Sequence, residues 1–214
     1  MNVPATSCGH RLPINPGDHV CAIVSDRRER DRLLGSFLRD GLTAGYRCFF
    51  KVPERDPWQA AHAVGGGIDV NRCRAERQLG LLGDSYHGHV QDGCSMGMIV
   101  GLWHDVLPDT GDGFPTADGC AETAWWRPRL PDTDTLTDYE AELNVLTETQ
   151  LIAVLCLYQG TRHGGALVLD LMRTHSRLVI GKVELHNPYH RFQEDLPAPR
   201  RREHHSGTRV RRAG

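Results

Sequence analysis

The stretch 151–190, LIAVLCLYQGTRHGGALVLDLMRTHSRLVIGKVELHNPYH, decides the fold class. Ile152 to Tyr158 is a near-continuous apolar run, too short for a buried helix and bounded by Gly160, so it predicts a strand covered on both faces. Gly165 to Arg173 predicts a short apolar helix, closing on Arg173-Thr174-His175. Leu178 to Leu185 predicts the last strand, followed by Asn187-Pro188-Tyr189. Strand, helix, strand with a buried first strand is the signature of an α/β sheet. Its polar residues fall at element ends, where open sheets of this class gather ligands.

The same alternation extends towards the N-terminus. His19 to Val24 predicts a short buried strand. Asp26 predicts the cap of a following helix, with Glu29 three residues on completing a capping box. Leu33, Leu34, Phe37, Leu38 and Leu42 recur at helical spacing, Gly45 ends the helix, and Tyr46 to Val52 predicts a second strand. Strand, helix, strand over 19–52 makes a parallel pair with a right-handed crossover. Further along, the pattern predicts a helix within 57–78 broken at Gly65-Gly66-Gly67, a brief strand at 79–82 and an amphipathic helix at 95–107. A loop at 108–119, a strand at 120–126 and a helix at 136–146 follow. The fold class is therefore α/β: three layers, a mostly parallel sheet with helices on both faces. Residues 1–18 read as an irregular arm, 19–190 as one domain and 191–214 as a basic disordered tail.

Charge separates the tail from the body. Residues 200–214 carry six arginines and one acid, or +5, within a chain of net charge −2, so the remainder carries −7. An acidic body is not the footprint of a nucleic-acid-binding core. The seven cysteines include no CxxC pair, and Cys21, Cys48 and Cys156 lie inside apolar runs, as in a reduced cytoplasmic chain. No apolar leader and no run of membrane-spanning length occurs, so no membrane is expected as a partner.

Sequence motifs for chemistry are sparse. The phosphate-binding pattern GxxxxGK[ST] is absent, and only two lysines occur, Lys51 and Lys182. Among twelve histidines there is neither HExxH nor a Cys/His zinc spacing. No metal site and no cofactor are assigned on that basis, although one built from His19, Cys21 and His175 across strand ends stays open. No GxSxG elbow occurs, and no catalytic residues are assigned. Asp109 to Gly113 reads as an acidic turn, since Cys120 stands where a calcium loop needs Glu. Trp125 and Trp126 read as core aromatics or as the wall of a small-ligand pocket with Glu122 as its polar anchor.

Several blocks together resemble the MEDS sensory domain of prokaryotic signal transduction. They are GDHVCAIV (17–24), FLRDGLTAGYRCFF (37–50), ETAWW (122–126), YEAELN (139–144), AVLCLYQ (153–159) and LMRTHSRLVIGKVELHNPYH (171–190). The resemblance implies a fold related to RecA- and KaiC-like P-loop cores without a functional Walker A loop. It also implies a sensory role, for a small hydrocarbon-derived ligand, and the chain is expected not to be an enzyme. The positions that match are His19, Cys21, Glu122, Trp125, Tyr139, Glu140, Cys156, Tyr158, Arg173, His175, Asn187, Pro188 and Tyr189. Of these, His19, Cys21, Glu122, Trp125, Tyr139, Arg173, His175, Asn187 and Tyr189 form the expected ligand-binding set, placed at the C-terminal ends of the parallel strands. No output module is visible, so a stand-alone sensor reporting through a separate signalling partner, or as a homodimer, is expected, with transcription regulation as one output. The competing readings are a non-catalytic interaction adaptor and a metal- or nucleotide-dependent enzyme.

Overall fold

The computed structural model describes residues 6–7, 13–52, 56–64, 66–81, 101, 103, 113–122, 133–160, 165–181, 183–187 and 190. The expected helix at 95–107, the tail, Trp125, Trp126, Pro188 and Tyr189 lie outside them, apart from Gly101 and a buried, helical Trp103.

The strands are β1 (Thr6–Ser7), β2 (His19–Val24), β3 (Arg47–Lys51), β4 (Leu79–Leu81), β5 (Ala117–Glu122), β6 (Ala153–Gln159), β7 (Arg177–Ile180) and β8 (Val183–His186). The helices are α1 (Arg27–Thr43), α2 (Pro57–Val64), α3 (Val70–Ala75), α4 (Thr133–Gln150) and α5 (Gly165–Thr174). One sheet runs in the order β1-β8-β7-β2-β6-β5-β3-β4. From β7 to β4 all neighbours are parallel; β8 and β1 extend the edge antiparallel.

Strand parity sorts the core into two halves, because paired residues of parallel neighbours share a face. Cys21, Val154, Cys156, Tyr158 and Leu178 point towards α4 and α5, packing on Leu136, Tyr139, Leu143 and Leu171. Val20, Ala22, Val24, Leu155 and Leu157 point the other way, onto Leu34, Phe37, Leu38 and Leu42 of α1 and onto α2 and α3. The expected three layers follow directly from this alternation.

Three expectations are corrected. The last strand is a hairpin: β7 and β8 fold back at Gly181, whose φ of 63° is one that glycine adopts without a Cβ clash. The middle strand begins at Ala117, inside the expected loop. Asp118 and Gly119 look like turn residues, yet Gly119 is needed there, since a Cβ would collide with the Trp103 ring lying on β5. The expected irregular arm contains β1, paired with β8.

Candidate functional site

Two polar centres are built into this sheet, on opposite faces and towards opposite ends of the strands. The first lies at the C-terminal ends of β2, β5 and β6. The link from β2 to α1 is only Ser25-Asp26. Asp26 caps α1 by accepting from the Glu29 N–H at 2.8 Å. Glu29 reaches back to accept from the Ser25 N–H at 2.8 Å and the Ser25 hydroxyl at 2.7 Å. The capping box forms as expected, except that its returning bond reaches one residue beyond the cap. A helix N-terminus after the first parallel strand is an anion site in related architectures; here the chain's own carboxylates occupy it.

Glu122, the last residue of β5, is fully buried on the α1 face. It accepts from Arg30 Nη1 at 2.7 Å and from Gln159 Nε2 at 2.8 Å. Arg30 is itself 2% exposed, so this is an ion pair removed from water. At the ends of β2 and β7 and the start of α1 opens a groove of about 970 Å³, which neither Glu122 nor Arg30 lines. Ile23, Val24 and Ile180 form apolar walls, with Arg28, Glu29 and Arg32 at the rim. Ile180 is 42% exposed.

The second centre lies on the α4–α5 face, towards the N-terminal ends of β2 and β7. His19 opens β2, His175 precedes β7, Cys156 is the middle residue of β6, and Glu140 projects from α4; all four are buried. His19 Nε2 lies 3.1 Å from Glu140 Oε2 and 3.4 Å from Cys156 Sγ. His175 Nε2 lies 3.3 Å from the same carboxylate oxygen, without hydrogen-bond alignment. The Cys156 thiol faces Glu140 Oε2 at 3.7 Å, and the Tyr158 hydroxyl donates to Oε1. The two imidazole rings stand 4.2 Å apart.

These groups perturb one another strongly. Burial alone would raise the Glu140 carboxyl, but His175 and His19 more than offset that and hold it well below the usual carboxylate range. Burial, then the Glu140 charge, pushes the Cys156 thiol and the Tyr158 phenol well up. Burial, then the His19 ring, lowers His175.

The structure thus divides the expected ligand-binding set. His19 and His175 meet each other, but Glu122 lies across the sheet from them and some residues further along the strands. Cys21 points into the same half as His19 and sits beside Cys156 in register, yet Cys156 is the thiol that reaches His19. Tyr139 is buried and accepts from the Trp103 indole at 2.9 Å. Arg173 is exposed and pairs with Asp170 at 2.9 Å. Asn187 donates to the Met172 and His175 carbonyls, closing the C-terminal end of α5. Trp125 and Tyr189 lie outside the described residues. Glu140, Cys156 and Tyr158 were matched through the resemblance alone and were not in the ligand set.

The sequence family described as MEthanogen/methylotroph, DcmR Sensory domain (MEDS) matches residues 18–176, most of the chain. The chain belongs to the MEDS family. No curated protein sequence matches this MEDS domain. Among solved structures, it is similar to a KaiC-like protein, PH0186, from Pyrococcus horikoshii, with TM-score 0.58 and 10% identity over 83% of this chain and 81% of that one. A second Pyrococcus horikoshii protein, PH0321, crystallised with an unknown peptide, gives TM-score 0.55 and 12% identity over 79% and 78%. The flagellar accessory protein FlaH from Methanocaldococcus jannaschii gives TM-score 0.53 and 8% identity over 78% and 72%. At these identities the likeness concerns the fold, which is α/β of the RecA/KaiC-like kind.

Proposed function

We propose that this MEDS domain is a non-catalytic sensor of a small, largely apolar molecule, and that it reports to a signalling partner in the cytoplasm. The groove at the C-terminal ends of β2, β6 and β7 carries this reading. It lies where open parallel sheets bind ligands. Its walls are Ile23, Val24 and Ile180, and the adjacent helix N-terminus is already filled by Asp26 and Glu29. A compact hydrocarbon derivative suits such a surface better than an anion, because its burial is favourable and no competing carboxylate must be displaced. In this reading Glu122 is not a free anchor, because it is bonded to Arg30 and Gln159 and does not line the groove. Membership of a sensory family supports the role, and no described helix is long and apolar enough to cross a membrane.

The test is a thermal-shift and calorimetric screen with short-chain alcohols, amines, thioethers and haloalkanes on wild-type protein and Ile180→Glu. Ile180 is partly exposed on a short strand, so the substitution places a charge in the groove with little cost to the core. Compounds that stabilise the wild type and leave Ile180→Glu unchanged support the assignment. Equal stabilisation of both proteins, or none from any compound, removes it.

A further inference from the structure

We propose that His19 Nε2, His175 Nε2, Cys156 Sγ and one Glu140 oxygen form a closed binding site for a divalent transition-metal cation of the zinc class. The site lies on the α4–α5 face and is separate from the groove, so it stands or falls independently of the sensing assignment.

The hydrogen bonds around the two histidines fix which ring atoms face inwards. Asn144 Nδ2 donates to the Thr174 carbonyl at 2.7 Å, so Asn144 Oδ1 is the atom turned to His19. That oxygen only accepts, so His19 Nδ1, 2.8 Å away, carries a proton. His175 Nδ1 lies 3.0 Å from the Leu171 carbonyl, which also only accepts, and 3.0 Å from the Thr174 hydroxyl, whose proton has the Asp170 and Leu171 carbonyls as acceptors at 3.3 Å. With Nδ1 anchored in this way, the neutral form of each ring turns an Nε2 lone pair towards Glu140. Three acceptor atoms converge, and the Cys156 thiol supplies one proton among them. His175 Nε2 is buried and makes no hydrogen bond among the described residues. Lone pairs converging in a dry interior are unfavourable unless a cation or extra protons lie between them.

A cation fits on three further counts. The donor atoms all lie within 4.8 Å of one another. With Zn–N of about 2.0–2.1 Å and Zn–S of about 2.3 Å, tetrahedral neighbours should be about 3.3 Å apart, or about 3.6 Å when one is sulfur. The His19–Glu140, His175–Glu140, His19–Cys156 and Cys156–Glu140 separations are 3.1, 3.3, 3.4 and 3.7 Å. Charge also balances: loading displaces the thiol proton to solvent, and the thiolate and carboxylate then neutralise the dication, leaving no net buried charge. Finally, the supporting bonds are those expected around metal ligands: each imidazole anchored through Nδ1 by an oxygen acceptor, and the carboxylate held by the Tyr158 hydroxyl. Two imidazoles, one thiolate and one carboxylate suit zinc, with cobalt as its spectroscopic substitute, and not a hard ion such as magnesium. Four protein ligands leave no open position, so the cation cross-links β2, α4, β6 and the α5–β7 link instead of performing catalysis.

The experiment uses the full chain, expressed in zinc- or cobalt-supplemented medium because a site this buried fills most readily during folding. Elemental analysis after dialysis should give about one metal ion per chain. The cobalt form should show tetrahedral visible absorption with a thiolate charge-transfer band. Cys156→Ser should abolish that band, and His175→Gln, which removes a ligand, should weaken metal retention by at least about 10–100-fold, the range typical of losing an outer-shell partner. Asn144→Ala, which touches no metal, should weaken retention over the same range while keeping the band. Replacing His87, His89, His204 and His205 with alanine should change nothing. A folded wild-type chain that holds only traces of metal after both loadings overturns the proposal and leaves a proton-sharing network. So does retention that survives Cys156→Ser and His175→Gln but fails in the four-histidine variant. If Cys156→Ser does not fold, the wild-type cobalt band and the Asn144→Ala result decide.

Discussion

Glu140 and Asp118 are both buried carboxylates in the core of one domain, and their surroundings are opposite. Glu140 faces two imidazoles, a thiol and a phenol on the α4–α5 side of the sheet. Asp118 sits on the α1 side, 3% exposed, against Gly41 and Cys48, and its Oδ1 has no hydrogen-bond partner among the described residues. Glu140 is held well below the ordinary carboxylate range, whereas burial raises Asp118 from 3.8 to about 7. A third buried acid, Glu122, accepts from one guanidinium and one amide. Burial alone therefore does not set the state of an acid in this core; what decides it is which polar groups the packed elements bring to face it. Helix α4 brings Asn144 to orient His19, one turn from Glu140, whereas α1 brings Gly41 to Asp118.

Replacing the partnered acid should have the largest effect. Glu140→Leu leaves His19, His175, the Cys156 thiol and the Tyr158 hydroxyl facing a side chain that cannot bond them. Stranding buried polar groups in this way costs about 3–5 kcal/mol, a large fraction of a domain stability of about 5–15 kcal/mol. Urea denaturation of the two proteins measures it. A loss below about 1 kcal/mol, the scale of an exposed ion pair, would erase the contrast between the two acids.

Replacing Asp118 should act in the opposite direction, with a clear pH dependence. Asp118 has a folded pKa above its unfolded one, so its contribution is intact below about pH 4 and declines as pH rises to about 7, where the folded carboxyl ionises. Asn at this position does not titrate. Each tenfold change in an acid's ionisation equilibrium is worth about 1.4 kcal/mol, so Asp118→Asn should gain on wild type by about 2–4 kcal/mol between pH 4 and pH 8. Cys48 of β3 is beside Asp118, and Asp40 of α1 and Tyr46 line the same hollow, so the comparison needs all three unchanged. Stability curves that run parallel from pH 4 to 8 would show that Asp118 is solvated or paired.

Much of this architecture is legible in the sequence because apolar runs and caps are local. The β2 strand, the Asp26–Glu29 box and the α1 stripe appear where their residues predict them. The Asp118-Gly119 pair misleads, since turn-forming residues were recruited into a central strand by a distant tryptophan. Gly181 likewise splits a strand that reads as continuous. The buried centre is harder. His19, His175 and Cys21 attract notice as residue types, but their convergence depends on register: His19 pairs with Val154, which places Cys156 two residues up the same face. Glu140 and Asn144 lie at helical spacing i, i+4, a signal that acquires meaning only once α4 is known to pack on β2 and β6. No local spacing connects residues 19, 140, 156 and 175; only the parallel topology does.

The smallest expected effect trims one partner from the better-supplied acid. In Tyr158→Phe the ring volume stays, β6 keeps its packing, and Glu140 Oε1 loses the phenol donor. The carboxylate retains both imidazoles and the thiol on its other oxygen, so the loss should be that of a single hydrogen bond to a charged, buried acceptor, about 1.5–3 kcal/mol. A shift in urea midpoint without a change in slope would confirm a local loss. If the loss instead equals that of Glu140→Leu, the phenol is the main support of the carboxylate. The contrast with Asp118 would then rest on one hydroxyl from β6 and not on the set that α4 gathers.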